Sequence, residues 1–274
     1  MRVLSADEVL GVWERGLRQS PTRRALMLLA AVCPESSDDD LAALPIGRRD
    51  ARLLQLREGL FGPEMTIVAA CPACGEHLES TFQVADVRLD ADHPIETTQI
   101  IAVDGYSVTF RLPASSDLLA LPTASQASSA RNRLLALCLL DIRDANSQTV
   151  RVESLPDHAL AAIAAQMATT DPQADVELNL ACPTCDHRWQ GIFDIASFLW
   201  QEIHAWAQRT LRDVHNLARV YGWREADVLA LSPTRRQIYL ELRPRTLVPA
   251  TLAAHRHGRH FRAGGVAGSE RAAG

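Results

Sequence analysis

The sequence predicts an α+β protein. A small β element is built on two cysteine knuckles and carries an inserted β-hairpin and helices. N-terminal helices and one long C-terminal helix flank it. Three observations lead to this class. Cys71-Pro72-Ala73-Cys74 and Cys182-Pro183-Thr184-Cys185 each lie between stretches that alternate apolar and polar residues. Residues 1–63 carry helical periodicity instead. After Asp194, apolar residues recur every three or four positions through Tyr221.

Taken in order, Ser5-Ala6-Asp7-Glu8 is a capping-box pattern, with Val9, Trp13 and Leu17 on one face of the helix it starts. Ser20-Pro21 restarts a helix that runs to Cys33, because proline costs nothing at a first helical position. The acidic stretch Glu35 to Asp40 reads as a solvated loop. Arg48 to Leu60 is a third helix, stopped near Gly62-Pro63. Strand, knuckle and strand then cover Met65 to Val84. Thr97 to Val103 and Tyr106 to Leu112 form a hairpin through Asp104-Gly105, a dipeptide suited to positive φ. Pro113 to Ser128 is a small-residue connection with room for a short helix.

Arg131 to Leu140 and Pro156 to Met167 read as helices. Val176 to Ala181 and Arg188 to Phe193 are the strands around the second knuckle. Asp194 caps the long helix, whose stripe is Leu199, Ile203, Trp206, Thr210, Val214, Leu217 and Tyr221. About 27 residues at 1.5 Å each make a rod of roughly 40 Å. Gly222 stops it, and two short helices follow, the second from Pro233 to Leu242. The expected regions are an N-terminal helical part (1–63), the two-knuckle element with its insertion (64–194), a C-terminal helical part (195–243) and a disordered tail (244–274).

Composition narrows the chemistry. The chain has 274 residues, 47% of them hydrophobic, and a net charge of −5, so bulk attraction to nucleic acid or anionic membrane is not favoured. All 28 basic Lys+Arg residues are arginine, a usage we read as genomic base-composition bias. Without lysine there is no Schiff-base residue and no phosphate loop of the Gly-Lys-Ser/Thr type. No Gly-x-Ser-x-Gly elbow and no His-Glu-x-x-His pair occurs either. A non-enzymatic protein is expected. The start turns acidic before any apolar core, which argues against a secretory leader. A cytoplasmic location follows, and there closely spaced cysteines favour metal over disulfides.

The two Cys-Pro-x-Cys pairs carry the chemistry. In a tight turn, cysteines three apart direct both sulfurs at one ion, proline fixes the turn and Gly75 tolerates positive φ. Two facing knuckles complete a four-sulfur site for structural zinc, so the β element is zinc-ribbon-like with Cys71, Cys74, Cys182 and Cys185 as ligands. Four sulfurs leave no coordination position open for catalysis. The departure is the gap, since Cys182 follows Cys71 by 111 positions. Either one ribbon holds a large insertion or two half-sites meet between molecules. The first is preferred, because loop-closure cost grows only logarithmically with length. The competing bland reading is a pair of incidental turns with free thiols.

His77 and His187 lie near the knuckles, but solvated strand positions suit them better than ligation. Cys33 and Cys138 sit in apolar helical runs and read as core. Asp38-Asp39-Asp40 reads as a solvated run, and Arg48-Arg49 and Arg235-Arg236 as helix surface. The basic run His255 to Arg262 reads as a solvated tail. Trp200 and Trp206 fall on different faces of the long helix, about 240° apart. One reading places Trp206 in the core with Trp200 half-exposed. The other makes Trp200, Trp206 and Trp223 anchors for a protein partner, a use to which tryptophan is suited.

Several stretches together resemble a known family. They are Leu44-Pro45-Ile46-Gly47-Arg48-Arg49-Asp50, the first knuckle, Asp171-Pro172-Gln173-Ala174-Asp175 and Phe193-Asp194-Ile195 with Trp200-Gln201-Glu202-Ile203. Val214-His215-Asn216-Leu217-Ala218, Tyr221-Gly222-Trp223 and Ala230-Leu231-Ser232-Pro233 continue the likeness. Across roughly residues 40–243 the chain resembles the T-even-phage-type baseplate hub assembly chaperones of contractile phage tails and phage-tail-like injection systems. The resemblance implies a non-enzymatic role in building a baseplate or hub, with baseplate or hub proteins as partners and no catalytic residues. The alternative is a cytoplasmic zinc-ribbon module that binds nucleic acid, against which the charge balance weighs.

Overall fold

A computed structural model describes residues 1–89, 98–122 and 127–242. The expected disordered tail (244–274) and its basic run therefore lie outside the described residues.

Helix α1 (Ala6–Gly16) opens on the expected capping box. The Ser5 hydroxyl accepts from the Glu8 backbone, and the Glu8 carboxylate accepts from the Ser5 N–H. Helix α2 (Pro21–Val32) is capped by Ser20, and α3 (Asp38–Ala43) by Ser37. The Asp38–Asp40 run is thus the first turn of a helix, which corrects the loop expected there. Three carboxylates suit that position because unpaired N–H groups point out of a helix start. All three remain exposed, as expected. Helix α4 (Ile46–Phe61) ends at Gly62, whose φ of 88° only glycine adopts at ease.

Strands β1 (Glu64–Ala70) and β2 (His77–Gln83) form an antiparallel hairpin that closes on the first cysteine pair. A single turn, α5 (Val84–Val87), follows. Strands β3 (Thr98–Val103) and β4 (Tyr106–Arg111) pair through Asp104 and Gly105, at φ 51° and 80°. That is the reverse turn the Asp-Gly signal predicts. After α6 (Ser115–Ala120), helix α7 (Ala127–Cys138) stops earlier than expected, and β5 (Leu139–Arg143) joins β4 as a third strand. The run Leu139-Leu140 has no periodicity that separates helix from strand, so pairing with β4 decides it. Helix α8 (Asp157–Thr170) leads to the second knuckle hairpin, β6 (Glu177–Ala181) and β7 (Arg188–Ile192). Helices α9 (Ile195–Tyr221), α10 (Glu225–Leu229) and α11 (Pro233–Leu242) complete the described chain. Asp194 caps α9 and Gly222, at φ 70°, ends it. No described helix is long and apolar enough to cross a membrane.

Two cores result. The first joins α1, α2, α4 and α9 around Leu28, Leu29, Leu53, Leu54, Leu199 and Ile203, all fully buried, with the inner faces of both knuckle hairpins packed against it. Each such side chain contributes about 1.5–3 kcal/mol by burial. The second lies inside the insertion, where β3–β5 pack on α7 and α8 around Val108, Phe110, Ile142 and Ile163. The insertion between the knuckles is thus a folded unit rather than a loop.

Buried charge fixes how α4 sits. Arg57 is 3% exposed and grips Glu202 of α9 with two bonds, 2.9 and 2.7 Å. Arg49 is buried too, bonded to Asp50 at 2.7 Å and to Ser115 at 3.3 Å. Arg236 is likewise buried. The reading of Arg48-Arg49 and Arg235-Arg236 as helix surface therefore fails for one member of each doublet. On a helix, adjacent residues point about 100° apart, so one of the two turns inward.

Candidate metal centre

Each knuckle is built by the hairpin that carries it. In the first, the Cys71 N–H donates to the Glu76 carbonyl at 2.8 Å, and the Gly75 N–H donates to the Cys71 carbonyl at 2.9 Å. The second repeats both bonds with Cys182, His187 and Asp186, at 2.9 and 3.0 Å. The fifth position of each turn has positive φ, 76° at Gly75 and 56° at Asp186. Glycine signalled this conformation in the first knuckle. In the second, aspartate fills it, being among the residues that tolerate the left-handed region.

The two turns face one another. Cys71 Sγ lies 3.7 Å from Cys185 Sγ, and Cys74 Sγ lies 3.6 Å from Cys182 Sγ. All four sulfurs lie within 4.8 Å of one another. A disulfide needs about 2.05 Å, so these are four separate thiols. Four sulfurs held about 2.3 Å from one tetrahedral zinc stand roughly 3.8 Å apart, which is near the spacing observed. Cys71 and Cys182 are buried, while Cys74 and Cys185 are exposed at the tips. One chain supplies all four, as the one-ribbon reading expects.

Backbone amides aim at the sulfurs. The Glu76 N–H donates to Cys74 and favours its thiolate, yet the sulfurs of Cys185, Cys182 and Cys71, with some burial, push that thiol up to about 12. Cys182 goes the other way. Burial raises it, but the N–H groups of Thr184 and Cys185 and the thiols of Cys74 and Cys185 bring it down to about 7. Crowding four ionisable sulfurs thus allows one thiolate readily and resists the next, unless a cation neutralises them. His77 and His187 are exposed and lie outside the cluster, and His187 stacks on Trp189 instead. Cys33 and Cys138 are buried in the two cores, as expected.

The three tryptophans expected as partner anchors, Trp200, Trp206 and Trp223, do not share a surface. Trp200 is 6% exposed, its ring lying where a Cβ on Gly16 would collide and beneath the Arg24 guanidinium at 4.6 Å. This reverses the expected pair of environments: Trp200 is core, and Trp206 is half-buried beside an open cleft. The sequence carried a signal for this only in hindsight, because Gly16 makes the gap that Trp200 fills. Trp223 stacks on Tyr221 and meets Tyr239 edge-on, with ring centres 4.7 and 4.8 Å away.

A family model described as T4 bacteriophage base plate protein matches residues 23–200, a span that includes both knuckles. No curated protein and no solved structure matches the chain.

Proposed function

The chain belongs to the T4 bacteriophage base plate protein family, and from that premise we propose that it is a non-enzymatic builder of a contractile baseplate. It acts as an assembly chaperone or a minor structural component of the baseplate or hub, in a phage tail or a tail-like injection system. The family match over 23–200 carries this reading. The protein works in the cytoplasm, where thiolates stay reduced.

The four-cysteine cluster supports a structural role for zinc, held by Cys71, Cys74, Cys182 and Cys185. Zinc would supply a cross-link with no open coordination position. The residues around it do the rest. The knuckle turns hold the sulfurs convergent, and the cross-link keeps two hairpins 111 positions apart against one face of the first core. The helices beyond are then presented as a docking scaffold, with Trp206 and Trp223 as its anchors. Trp200 acts from beneath, by fixing α9 on α1. A chaperone of this kind covers partner surfaces that are sticky before assembly.

Co-purification from cells that also express contractile-tail baseplate and hub genes tests the role. Recovery of a baseplate or hub protein is expected, and recovery of no tail protein would overturn it. Metal analysis of the purified chain tests the zinc, with one ion per chain expected and loss in Cys74→Ser. The nucleic-acid alternative expects an affinity that falls steeply with salt, and the net charge of −5 speaks against it.

A further inference from the structure

An open cleft of about 910 Å³ lies between the start of α1, the end of α4, the middle of α9 and α11. Its α9 wall presents Trp206, Arg209, Asp213 and Asn216, spaced three or four apart and so on one helical face. Leu60, Phe61 and Leu229 make it apolar on the other side. Arg236 of α11 completes the wall and is the unusual member. It is only 6% exposed, and among the described residues its Nε has no hydrogen-bond partner. Its Nη2 reaches the Leu231 carbonyl only at 3.5 Å. A buried guanidinium is costly unless something satisfies it.

The cleft also has a charge imbalance. Arg209, Arg212 and Arg236 line it against the single carboxylate Asp213. Burial raises the Asp213 carboxyl, with Arg236, then Arg212 and Arg209, pulling the other way. Most of this polar wall lies beyond residue 200, past the span of the family match.

We propose that this cleft binds an acidic segment of a partner protein, taking a carboxylate on Arg236 and Arg209 and an adjoining apolar side chain against Trp206, Leu60 and Phe61. The guanidinium fork matches a carboxylate with two parallel bonds. Free phosphate shares that chemistry. It would leave the apolar wall uncovered, however, and Asp213 opposes a second negative charge. A peptide answers both the arginines and the apolar side. The inference deepens the docking reading above and rests on it.

The test uses the full-length, metal-replete protein and a displayed library of random dodecapeptides, followed by affinity measurement on the selected peptides. Selected peptides are expected to place Asp or Glu beside an apolar residue. Replacing that acid by its amide, or Arg236→Gln, should weaken binding at least tenfold, and Arg209→Gln severalfold. Arg188→Gln, on β7, should change nothing. Arg209 is exposed, so its variant remains informative if Arg236→Gln folds poorly. Selection of no acidic peptide, or affinity indifferent to both arginine variants, would overturn the proposal. Inorganic phosphate binding as tightly as the peptides would assign the cleft to free phosphate and overturn it too. If the arginine variants still co-purify with tail proteins as the wild type does, the cleft assignment falls and the baseplate role stands.

Discussion

The carboxylate of Asp171 caps helix α4 from 124 residues away, its Oδ2 accepting the backbone N–H of Gly47 at 2.9 Å. Helix α4 needs such a partner, because its N-cap position is Pro45, which offers no side-chain acceptor. The approach is possible only because residue 47 has no side chain, since a Cβ there would collide with the Asp171 carboxylate. Gln173, two residues on, extends the tie by donating to the Val87 carbonyl and accepting from the Leu89 N–H. The segment before the second knuckle therefore holds both the helix before the first knuckle and the turn after it. This positions the two cysteine pairs without help from the cysteines.

Gly47→Ala should consequently destabilise the protein by about 1–3 kcal/mol, from overpacking and a lost buried hydrogen bond. Gly59 lies in the same helix with open space around its Cβ position. Gly59→Ala should instead stabilise by up to about 1 kcal/mol, through helix propensity alone. Urea denaturation of the two variants reads the difference. A shift in the same direction for both would refute the packing argument.

Arg57 and Glu202 make a second prediction. Glu202 is a quarter exposed, and Arg57 also donates to the Gly62 carbonyl at 2.6 Å. Glu202→Ala, which takes two charge-assisted bonds from a buried guanidinium, should therefore cost about 1–3 kcal/mol. The double variant Arg57→Met with Glu202→Leu leaves no charge stranded and should cost less than either single truncation. A double-mutant cycle by urea unfolding checks the coupling. Additive costs would mean that the pair does not bind α4 to α9.

Much of this was written in local pattern. The caps at Ser5, Ser20 and Asp194, the stops at Gly62 and Gly222 and the Asp104-Gly105 turn depend on a few neighbouring residues. Each is found where the sequence places it. The cysteine spacing was legible for the same reason, because a knuckle is a local turn. What sequence hid were features decided by distant partners. Strand β5 exists because β4 has a free edge, Trp200 is buried because Gly16 leaves space for its ring, and Arg49 turns inward toward Ser115, 66 residues away. No periodicity reports those meetings. The cleft at Arg236 was hidden likewise, since its walls come from five separate helices.

Metal removal should loosen the protein unevenly. A link between Cys71 and Cys182 closes a loop of 111 positions. Its entropic advantage over the ~15-residue loop of an ordinary ribbon is about 2 kcal/mol. The insertion has a core of its own around Val108 and Phe110. Chelation should therefore speed amide hydrogen exchange in β1, β2, β6 and β7 while β4 remains protected. Exchange that rises equally in β4 would mean that the ion holds the whole fold rather than the two hairpins.

Asp50 yields the pH dependence. Its carboxyl is pushed up to about 6, chiefly by burial and further by Asp194 and Asp171, with Arg49 opposing. In the unfolded chain the same group titrates near 4. Between about pH 4 and 6 the folded protein holds a proton that the unfolded chain has released, so this group's contribution to stability falls as pH rises through that window and is level above it. Asp50→Asn cannot ionise and escapes the loss. Subtracting the variant's unfolding free energy from the wild type's cancels the other titrating groups. The difference should shift against the wild type by about 2–3 kcal/mol from pH 4 to above 6. The Arg49 guanidinium retains an oxygen acceptor in the variant, so the shift reports ionisation and not a stranded arginine. A difference that stays flat across the window, or moves toward the wild type, would show that Arg49 compensates the buried carboxylate in full.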